Sequence, residues 1–138
     1  MSGPETAGES GIYGTLGTAD ITNVPGSRQG SVGWTDAAGN FWVFGGIGFD
    51  SAGIAGELND LWQYSPSAGM WTWQSGSNLV GEAGNYGTLG ISAPGNFPGA
   101  RGGSPSWIDA AGNLWLFGGN GPISGVNGAF SDLWKFVP

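Results

Sequence analysis

Nearly the same stretch of eleven residues occurs twice in this 138-residue chain, as DAAGNFWVFGG from Asp36 and as DAAGNLWLFGG from Asp109. The motif YGTLG also occurs twice, at the same offset of 73 residues. NDLWQYSP from Asn59 matches SDLWKFVP from Ser131 at an offset of 72, so the second copy lacks one residue in an intervening loop. The chain therefore contains two copies of one structural unit, and such a repeat restricts the fold before any local pattern is considered.

Each unit alternates short strand patterns with turn patterns. Residues 30–36 and 40–46 flank Ala-Ala-Gly, a connection typical of a short β-hairpin. The run FWVF within 40–46 is apolar without alternation, which indicates a strand covered on both faces. Two further strands are predicted over 58–65 and 70–75. Because the second unit repeats the first three, we expect an all-β chain with about seven antiparallel strands.

The order of the motifs within one unit carries a family resemblance. A double glycine ends the second strand, the third strand reads NDLWQYSP, and the fourth contains MWTW. This combination resembles a kelch repeat, fully from Arg28 to Trp73 and in part from Arg101 to Pro138. A kelch unit has about 50 residues, and the longer period here places the excess in loops. The resemblance implies that each unit is one four-stranded blade of a β-propeller.

The repeat also predicts the organisation of the chain. We expect a single two-blade unit over 1–138, divided into a leader and loop over 1–27, blade one over 28–75, a long inter-blade loop over 76–100 and an incomplete blade two over 101–138. Blade two is incomplete because nothing in it corresponds to MWTWQS. Antiparallel connections place the long loops 47–57 and 76–100 on one face, and we expect any binding there because loops on a rigid scaffold carry most binding functions.

Two blades do not close a propeller, for which about four to eight are typical. The outer face of each blade would leave Trp and Phe side chains in water, and repeat units stack because one alone cannot bury its apolar face. We therefore expect kelch-like blades that close only by oligomerisation, in a ring of roughly three or four chains and six or eight blades. The alternative is that the chain is a piece of a longer propeller. Lys135 and Pro138 on the third strand of blade two would reduce pairing at its open edge.

Composition and charge exclude several functional classes. Thirty glycines suit tight turns, while eight Trp, seven Phe and three Tyr supply core material. Ten acidic against three basic residues give a net charge of −7, which disfavours nucleic-acid and anionic membrane partners. The absence of Cys and His excludes thiolate chemistry and imidazole metal sites. The first ten residues lack a signal-peptide pattern, and no apolar run approaches the roughly 20 residues of a membrane span.

Candidate ligand-binding residues lie on the long-loop face. Exposed aromatic rings there would stack on sugars; the candidates for the binding face are Tyr13, Tyr86, Phe97, Asp50 and Glu57. The two acidic residues share a glycine-rich loop, but calcium needs about six to eight oxygen ligands and no EF-hand spacing is present. We predict no metal site and no cofactor.

The two arginines that begin the first strand of each blade have two interpretations. In a ring, Arg28 and Arg101 would stand around the axis, as in sialidase-type propellers, which the chain resembles in architecture and which hold a substrate carboxylate with three arginines. In the other interpretation, each arginine pairs with an acidic neighbour and with carbonyls of its own blade. We predict the second arrangement.

The remaining residues of the repeat signature are expected to be structural. The Asp of each hairpin turn is predicted to bond to local backbone, and the Asp of each third strand to brace a loop. The signature comprises Arg28, Arg101, Asp36, Asp109, Gly45, Gly46, Gly118, Gly119, Asp60, Asp132, Trp62 and Trp134.

Three functional hypotheses follow. The first is a non-enzymatic, self-assembling kelch-like propeller module that serves as a scaffold or protein-interaction surface. The alternative is a glycan-binding module that uses Tyr13, Tyr86 or Phe97. The third is a glycosidase formed only in the ring, which requires Arg28 and Arg101 to point into the central channel. The copper-radical oxidases of the kelch family need His and a cross-linked Cys, and so that activity is excluded.

Overall fold

The computed structural model describes residues 3, 5–123 and 125–138, and these residues form an all-β chain. Their nine strands are β1 (Ala19–Asp20), β2 (Arg28–Gln29), β3 (Val32–Thr35), β4 (Phe41–Phe49), β5 (Ala55–Ser65), β6 (Met70–Ser75), β7 (Ser106–Ile108), β8 (Leu114–Ile123) and β9 (Val126–Phe136). Within the described part of the chain, no helix has the length and apolar character needed to cross a membrane.

The strands form two antiparallel sheets, which confirms the predicted fold class. The first sheet, named blade one, has the order β1-β6-β5-β4-β2, and β3 also pairs with β4. The second sheet, named blade two, has the order β7-β8-β9. The seven predicted strands correspond to β3 through β9, and the two-residue strands β1 and β2 are additions. Among the described residues blade two has no fourth strand, and neither sheet closes into a barrel.

The segment 47–57, predicted as a long loop, is instead mostly strand. β4 continues to Phe49 and β5 begins at Ala55, so that only a short turn separates them. A β-bulge between Phe44 and Gly46 makes this extension possible, since Gly45 and Gly46 adopt φ angles of 59° and 95°. The bulge takes up one extra residue and lets the ladder resume beyond it. In sequence, the same double glycine indicated the end of a strand.

The leader 1–27, predicted as a loop, contributes one short strand. Ala19 and Asp20 pair with Thr72 and Trp71, so β1 covers the outer edge of β6. An edge strand presents unpaired backbone groups, and a returning segment of chain satisfies them. The leader therefore belongs to blade one rather than preceding it.

The two blades pack face to face around one apolar core. The core consists of Val32, Trp34, Trp42, Phe44, Leu61, Leu114 and Leu116, with Trp134 and Phe136 partly buried against them. The rings of Trp42 and Phe136 meet across the junction with centroids 5.2 Å apart. Backbone bonds fix the same junction, since Gly46 N donates to Arg101 O at 2.8 Å and Arg101 N donates to Leu58 O at 2.9 Å.

Candidate functional site

Arg28 forms a two-pronged ion pair with Asp60 inside blade one. Its Nη1 and Nη2 atoms donate to the two Asp60 carboxylate oxygens, both at 2.7 Å. Its Nε donates to Gly26 O at 3.0 Å, and Nη1 also donates to Gly45 O at 3.2 Å. Burial alone would lower the pKa of Arg28, but the hydrogen bond and charge of Asp60 raise it above its ordinary value. The predicted pairing of Arg28 with an acidic neighbour and its own blade's carbonyls is confirmed.

Asp60 also holds the leader loop through Tyr13. The Tyr13 hydroxyl donates to Asp60 Oδ2 at 2.6 Å, and Trp62 Nε1 donates to the same oxygen at 2.7 Å. The Tyr13 ring packs on Trp62 and Trp73, with centroids 4.8 and 5.2 Å away. Burial, reinforced by the negative charge of Asp60, raises the pKa of Tyr13 well above its ordinary value. The prediction that Asp60 braces a loop is confirmed.

The expectation that Tyr13 lies on an exposed binding face is wrong. Its side chain is 4% exposed, because the leader loop folds back onto blade one and packs the ring against Trp62 and Trp73. A ring that is buried in this way has no free face for a sugar.

Blade two repeats the same cluster. Arg101 donates to both carboxylate oxygens of Asp132, and Tyr86 and Trp134 each donate to Asp132 Oδ2 at 2.7 Å. Burial would raise the pKa of Asp132, but the hydrogen bonds from Arg101, Trp134 and Tyr86 lower it to about 2. Tyr86 is 50% exposed, because the described part of blade two has no counterpart of Trp73 to cover it. The pairing predicted for Arg101 and the bracing role predicted for Asp132 are confirmed.

The Asp of each hairpin turn organises the turn itself, as predicted. Asp36 Oδ1 accepts from the backbone N–H groups of Ala38 and Asn40, both at 2.9 Å, and Oδ2 accepts from Trp42 Nε1 at 2.8 Å. Burial would raise the pKa of Asp36, but the hydrogen bonds from Trp42 and Asn40 lower it below its ordinary value. Asp109 makes the equivalent bonds one repeat later. The indole bond orients Trp42 towards the core between the blades.

Asp50 is a turn residue and not part of an accessible face. Its side chain is buried, with Oδ1 accepting from Ala52 N and Ile54 N at 2.8 and 2.9 Å, and Oδ2 accepting from Val80 N at 3.2 Å. The carboxylate thus caps its own turn and fastens the inter-blade loop to it, which corrects its assignment to a binding face. Glu57 lies on β5 and is partly exposed. Within the described ranges, no three acidic side chains are grouped so that they could hold a metal ion.

Phe97 is half-buried and contributes mainly through its backbone. Its N–H donates to Asn85 O and its carbonyl accepts from Asn85 N, which closes the base of the inter-blade loop. Of the aromatic residues proposed for the long-loop face, Tyr86 alone exposes half of its surface.

Two apolar sheet faces are fully or partly exposed at opposite ends of the two-blade unit. The leading face, on blade one, consists of Phe41, Val43, Tyr64 and Trp71, which the strand register places side by side. The trailing face, on blade two, consists of Trp107, Trp115, Phe117 and Leu133. The Trp107 and Trp115 rings stack with an interplanar angle of 4°.

The trailing face repeats a surface that is buried within the same chain. Trp107 and Phe117 are 45% and 43% exposed. Their counterparts one repeat earlier, Trp34 and Phe44, are 7% and 4% exposed because they pack against blade two. The residue types are the same, and only the presence of a neighbouring blade differs.

The leading face repeats the other side of that junction. Phe41 is 42% exposed, whereas its counterpart Leu114 is 2% exposed and packs against blade one. Val43 and Tyr64 correspond in the same way to Leu116 and Phe136, which also belong to the core. Each exposed face is therefore one half of the junction that the chain already forms internally.

Comparison of the chain with known protein families gives no match, and comparison with curated proteins gives none either.

Proposed function

We propose that this chain is a non-enzymatic, kelch-like propeller module that assembles head to tail with copies of itself and serves as a scaffold or protein-interaction surface. The observation that supports this function is the pair of exposed faces. The trailing face has the same residue types that blade one presents to blade two, and the leading face has apolar residues at the positions that, in blade two, receive them.

The physical drive for assembly is apolar burial. Fully burying one exposed large apolar side chain stabilises a structure by about 1.5–3 kcal/mol. The two faces together present eight apolar side chains, of which four are exposed and four are already partly buried. Contiguous exposed apolar patches on a protein commonly mark interaction sites. The leading and trailing faces differ from one another, so the contact is heterologous, and repetition of a heterologous contact closes a ring when the rotation allows. A ring of roughly three or four copies provides the six or eight blades of a propeller.

Backbone groups provide a second point of complementarity. The internal junction contains the bond from Gly46 N to Arg101 O at 2.8 Å. Gly119 is the counterpart of Gly46, and Arg28 is the counterpart of Arg101. In the assembly, the equivalent bond therefore joins Gly119 N of one copy to Arg28 O of the next copy. The register of successive copies is then fixed by the same bond that fixes the two blades of one chain.

Native mass spectrometry at micromolar concentration tests the assembly. We expect closed species at about three or four times the chain mass of 14.0 kDa, without a ladder of longer open oligomers. A strict monomer at this concentration contradicts the proposal, as does an unlimited polymer, which shows that the contact does not close.

Two charge substitutions on opposite faces test the head-to-tail geometry. Phe41→Asp disables the leading face and Phe117→Asp disables the trailing face, and each variant alone is expected to be monomeric. Leu89→Asp is the control, because Leu89 is fully exposed on the inter-blade loop, away from both faces. We expect this control to assemble as the unmodified chain does.

Mixing the two variants gives the sharpest result. The Phe41→Asp chain retains its trailing face and the Phe117→Asp chain retains its leading face, so a mixture forms a one-to-one dimer that does not grow. If Phe41→Asp alone still dimerises, the contact is symmetric and the proposal fails. If the mixture stays monomeric while circular dichroism shows both chains folded, the two faces do not recognise each other.

The two other hypotheses lose support from the cluster geometry. A glycan platform would now rest on Tyr86, because Tyr13 is enclosed and Phe97 is half-buried. The ring-formed glycosidase required Arg28 and Arg101 to point into a channel, and both guanidinium groups are instead bonded to carboxylates of their own blades. Binding on a glycan array that is abolished by Tyr86→Ala would restore the glycan-binding hypothesis.

A further inference from the structure

Blade one shows how a fourth strand completes this fold. β6 lies beside β5, where Tyr64 pairs with Trp71 and Trp62 pairs with Trp73. Trp71 packs against Tyr64 with ring centroids 5.1 Å apart, and Trp73 covers the Tyr13 ring at 5.2 Å. Alternate Trp side chains of β6 therefore fill two positions on one face of the blade.

The leader loop holds β6 from the other side. Gly17 N donates to Trp73 O at 2.7 Å, and Asn23 Nδ2 donates to Trp71 O at 3.1 Å. A second bond from Asn23 Nδ2 to Thr18 O at 3.0 Å shapes the loop itself. β6 thus occupies a slot between a strand and a loop, and both walls contribute hydrogen bonds.

Blade two has both walls of this slot without the strand. β9 corresponds to β5 and pairs only with β8 among the described residues. The loop 86–97 keeps the internal bond of its counterpart, since Asn96 Nδ2 donates to Ile91 O at 2.9 Å. Backbone pairing of Asn85 with Phe97 closes the base of this loop, and pairing of Ile12 with Val24 closes the base of the leader loop in the same way. By the repeat offset of 73 residues, Gly90 N and Asn96 Nδ2 are the counterparts of Gly17 N and Asn23 Nδ2, the two groups that donate to β6 in blade one.

A cleft lies where a fourth-strand Trp would pack. It is lined by Trp134 and Phe136, the counterparts of the residues around Trp71, and by Trp34 and Leu61 of blade one. The Trp34 indole Nε1–H is buried without a hydrogen-bond partner within the described chain. A buried donor without a partner is costly and is normally satisfied by an acceptor.

We propose that the outer edge of β9, together with loop 86–97, is an acceptor site for one extended, uncharged strand with Trp at alternate positions. One Trp of this strand covers Tyr86 and Trp134, and the other enters the cleft beside Phe136. Its carbonyls accept from Gly90 N and Asn96 Nδ2. Recognition of this kind combines backbone bonds for affinity with alternate side-chain pockets for specificity.

The sequence of the occupant follows from blade one. MWTWQS, the sequence of β6, is the only fourth strand in the described chain, and it satisfies the equivalent pair of donors there. The site lies on a strand edge and not on the leading or trailing face. The inference therefore does not rest on ring assembly.

Titration with a synthetic peptide tests the inference. A fluorophore-labelled, capped peptide GMWTWQSG is added to the full chain and its anisotropy is followed. The matched control is GMTWWQSG, which has the same composition but no alternation of Trp. We expect saturable one-to-one binding of the first peptide and at least tenfold weaker binding of the second. Equal binding of both peptides, or binding of neither, overturns the inference.

Two measurements identify the site. Tyr86→Ser is expected to weaken binding at least tenfold, and Tyr86→Phe to leave it unchanged, because the ring is what the incoming Trp covers. Hydrogen exchange is expected to show slower exchange at the Gly90 amide and along β9 when peptide is bound. If the peptide binds but protects the amides of blade one instead, it has displaced β6 and the inference is wrong. The Phe117→Asp monomer is expected to bind the peptide equally, which separates this result from the outcome for the ring.

Discussion

The duplicated Tyr–Asp hydrogen bond permits a direct measurement of how burial changes the free energy of one interaction. Tyr13 donates to Asp60 at 2.6 Å and Tyr86 donates to Asp132 at 2.7 Å, each beside an arginine and a tryptophan. The two tyrosines differ in exposure, 4% against 50%. Replacing each with Phe removes one hydroxyl and leaves the ring in place.

The expected costs follow from what replaces the lost bond. A hydrogen bond to a charged group contributes about 1.5–3 kcal/mol to the free energy of unfolding. In Tyr13→Phe, Asp60 still accepts from Arg28 and Trp62, so the carboxylate is not left without partners and the cost lies near 1.5–2 kcal/mol. In Tyr86→Phe, water reaches the vacated oxygen, and the cost falls to about 0.5 kcal/mol or less.

Urea denaturation followed by Trp fluorescence measures both variants. The chain concentration is held fixed, since the proposed assembly would make the apparent stability depend on concentration. We expect unchanged m-values, and a midpoint shift for Tyr13→Phe about three times that for Tyr86→Phe. Equal shifts, or a larger shift for Tyr86→Phe, would refute the argument that exclusion of water sets the strength of this bond.

Three further substitutions have definite expected outcomes. Asp60→Asn leaves the buried guanidinium of Arg28 without a counter-charge, and we expect a loss of about 3–5 kcal/mol by urea denaturation, well above that of an exposed ion pair. The pKa of Asp132 is lowered from 3.8 to about 2 in the folded state. Its ionised carboxylate therefore stabilises the fold above about pH 4, and this contribution is lost as the pH falls towards 2. Asp132→Asn is expected to flatten the pH dependence of the urea midpoint over this range. Gly45→Ala places a Cβ 2.6 Å from Arg101 O, whereas the Cβ of Gly39→Ala, also at positive φ, meets nothing within 4 Å. Gly39→Ala is expected to lower the free energy of unfolding by about 1–2 kcal/mol, from backbone strain alone. Gly45→Ala is expected to cost at least twice as much, and thermal unfolding measures both.

The features that the sequence predicts well are those determined by neighbouring residues. The hairpin Asp36 bonds to backbone groups two and four residues away, and its residue type and position are sufficient to predict this. The strands over 30–36, 40–46, 58–65 and 70–75 follow from local apolar patterns between turns. Alternation and turn chemistry act over a few residues, and so a single sequence contains all the information they need.

The features that were predicted wrongly depend on distant parts of the chain. Tyr13 and Asp60 are 47 residues apart, and nothing in YGTLG distinguishes the enclosed Tyr13 from the half-exposed Tyr86. The difference comes from Trp73, which lies on another strand. The double glycine at Gly45 was interpreted as a strand end because a bulge becomes visible only once the register of the partner strand is known.

Because the two halves of the chain share a sequence, each difference in exposure between equivalent residues identifies a neighbour that one half has and the other does not. Blade one has β6 and lacks a partner for its leading face. Blade two is covered on the side of blade one, and the described residues provide it with neither a fourth strand nor a neighbour for its trailing face. Local stability in a β-sheet depends on pairing at its edges and burial of its faces. Blade two, in which a strand edge and a sheet face are both uncovered, is therefore expected to be the less stable half of an isolated chain.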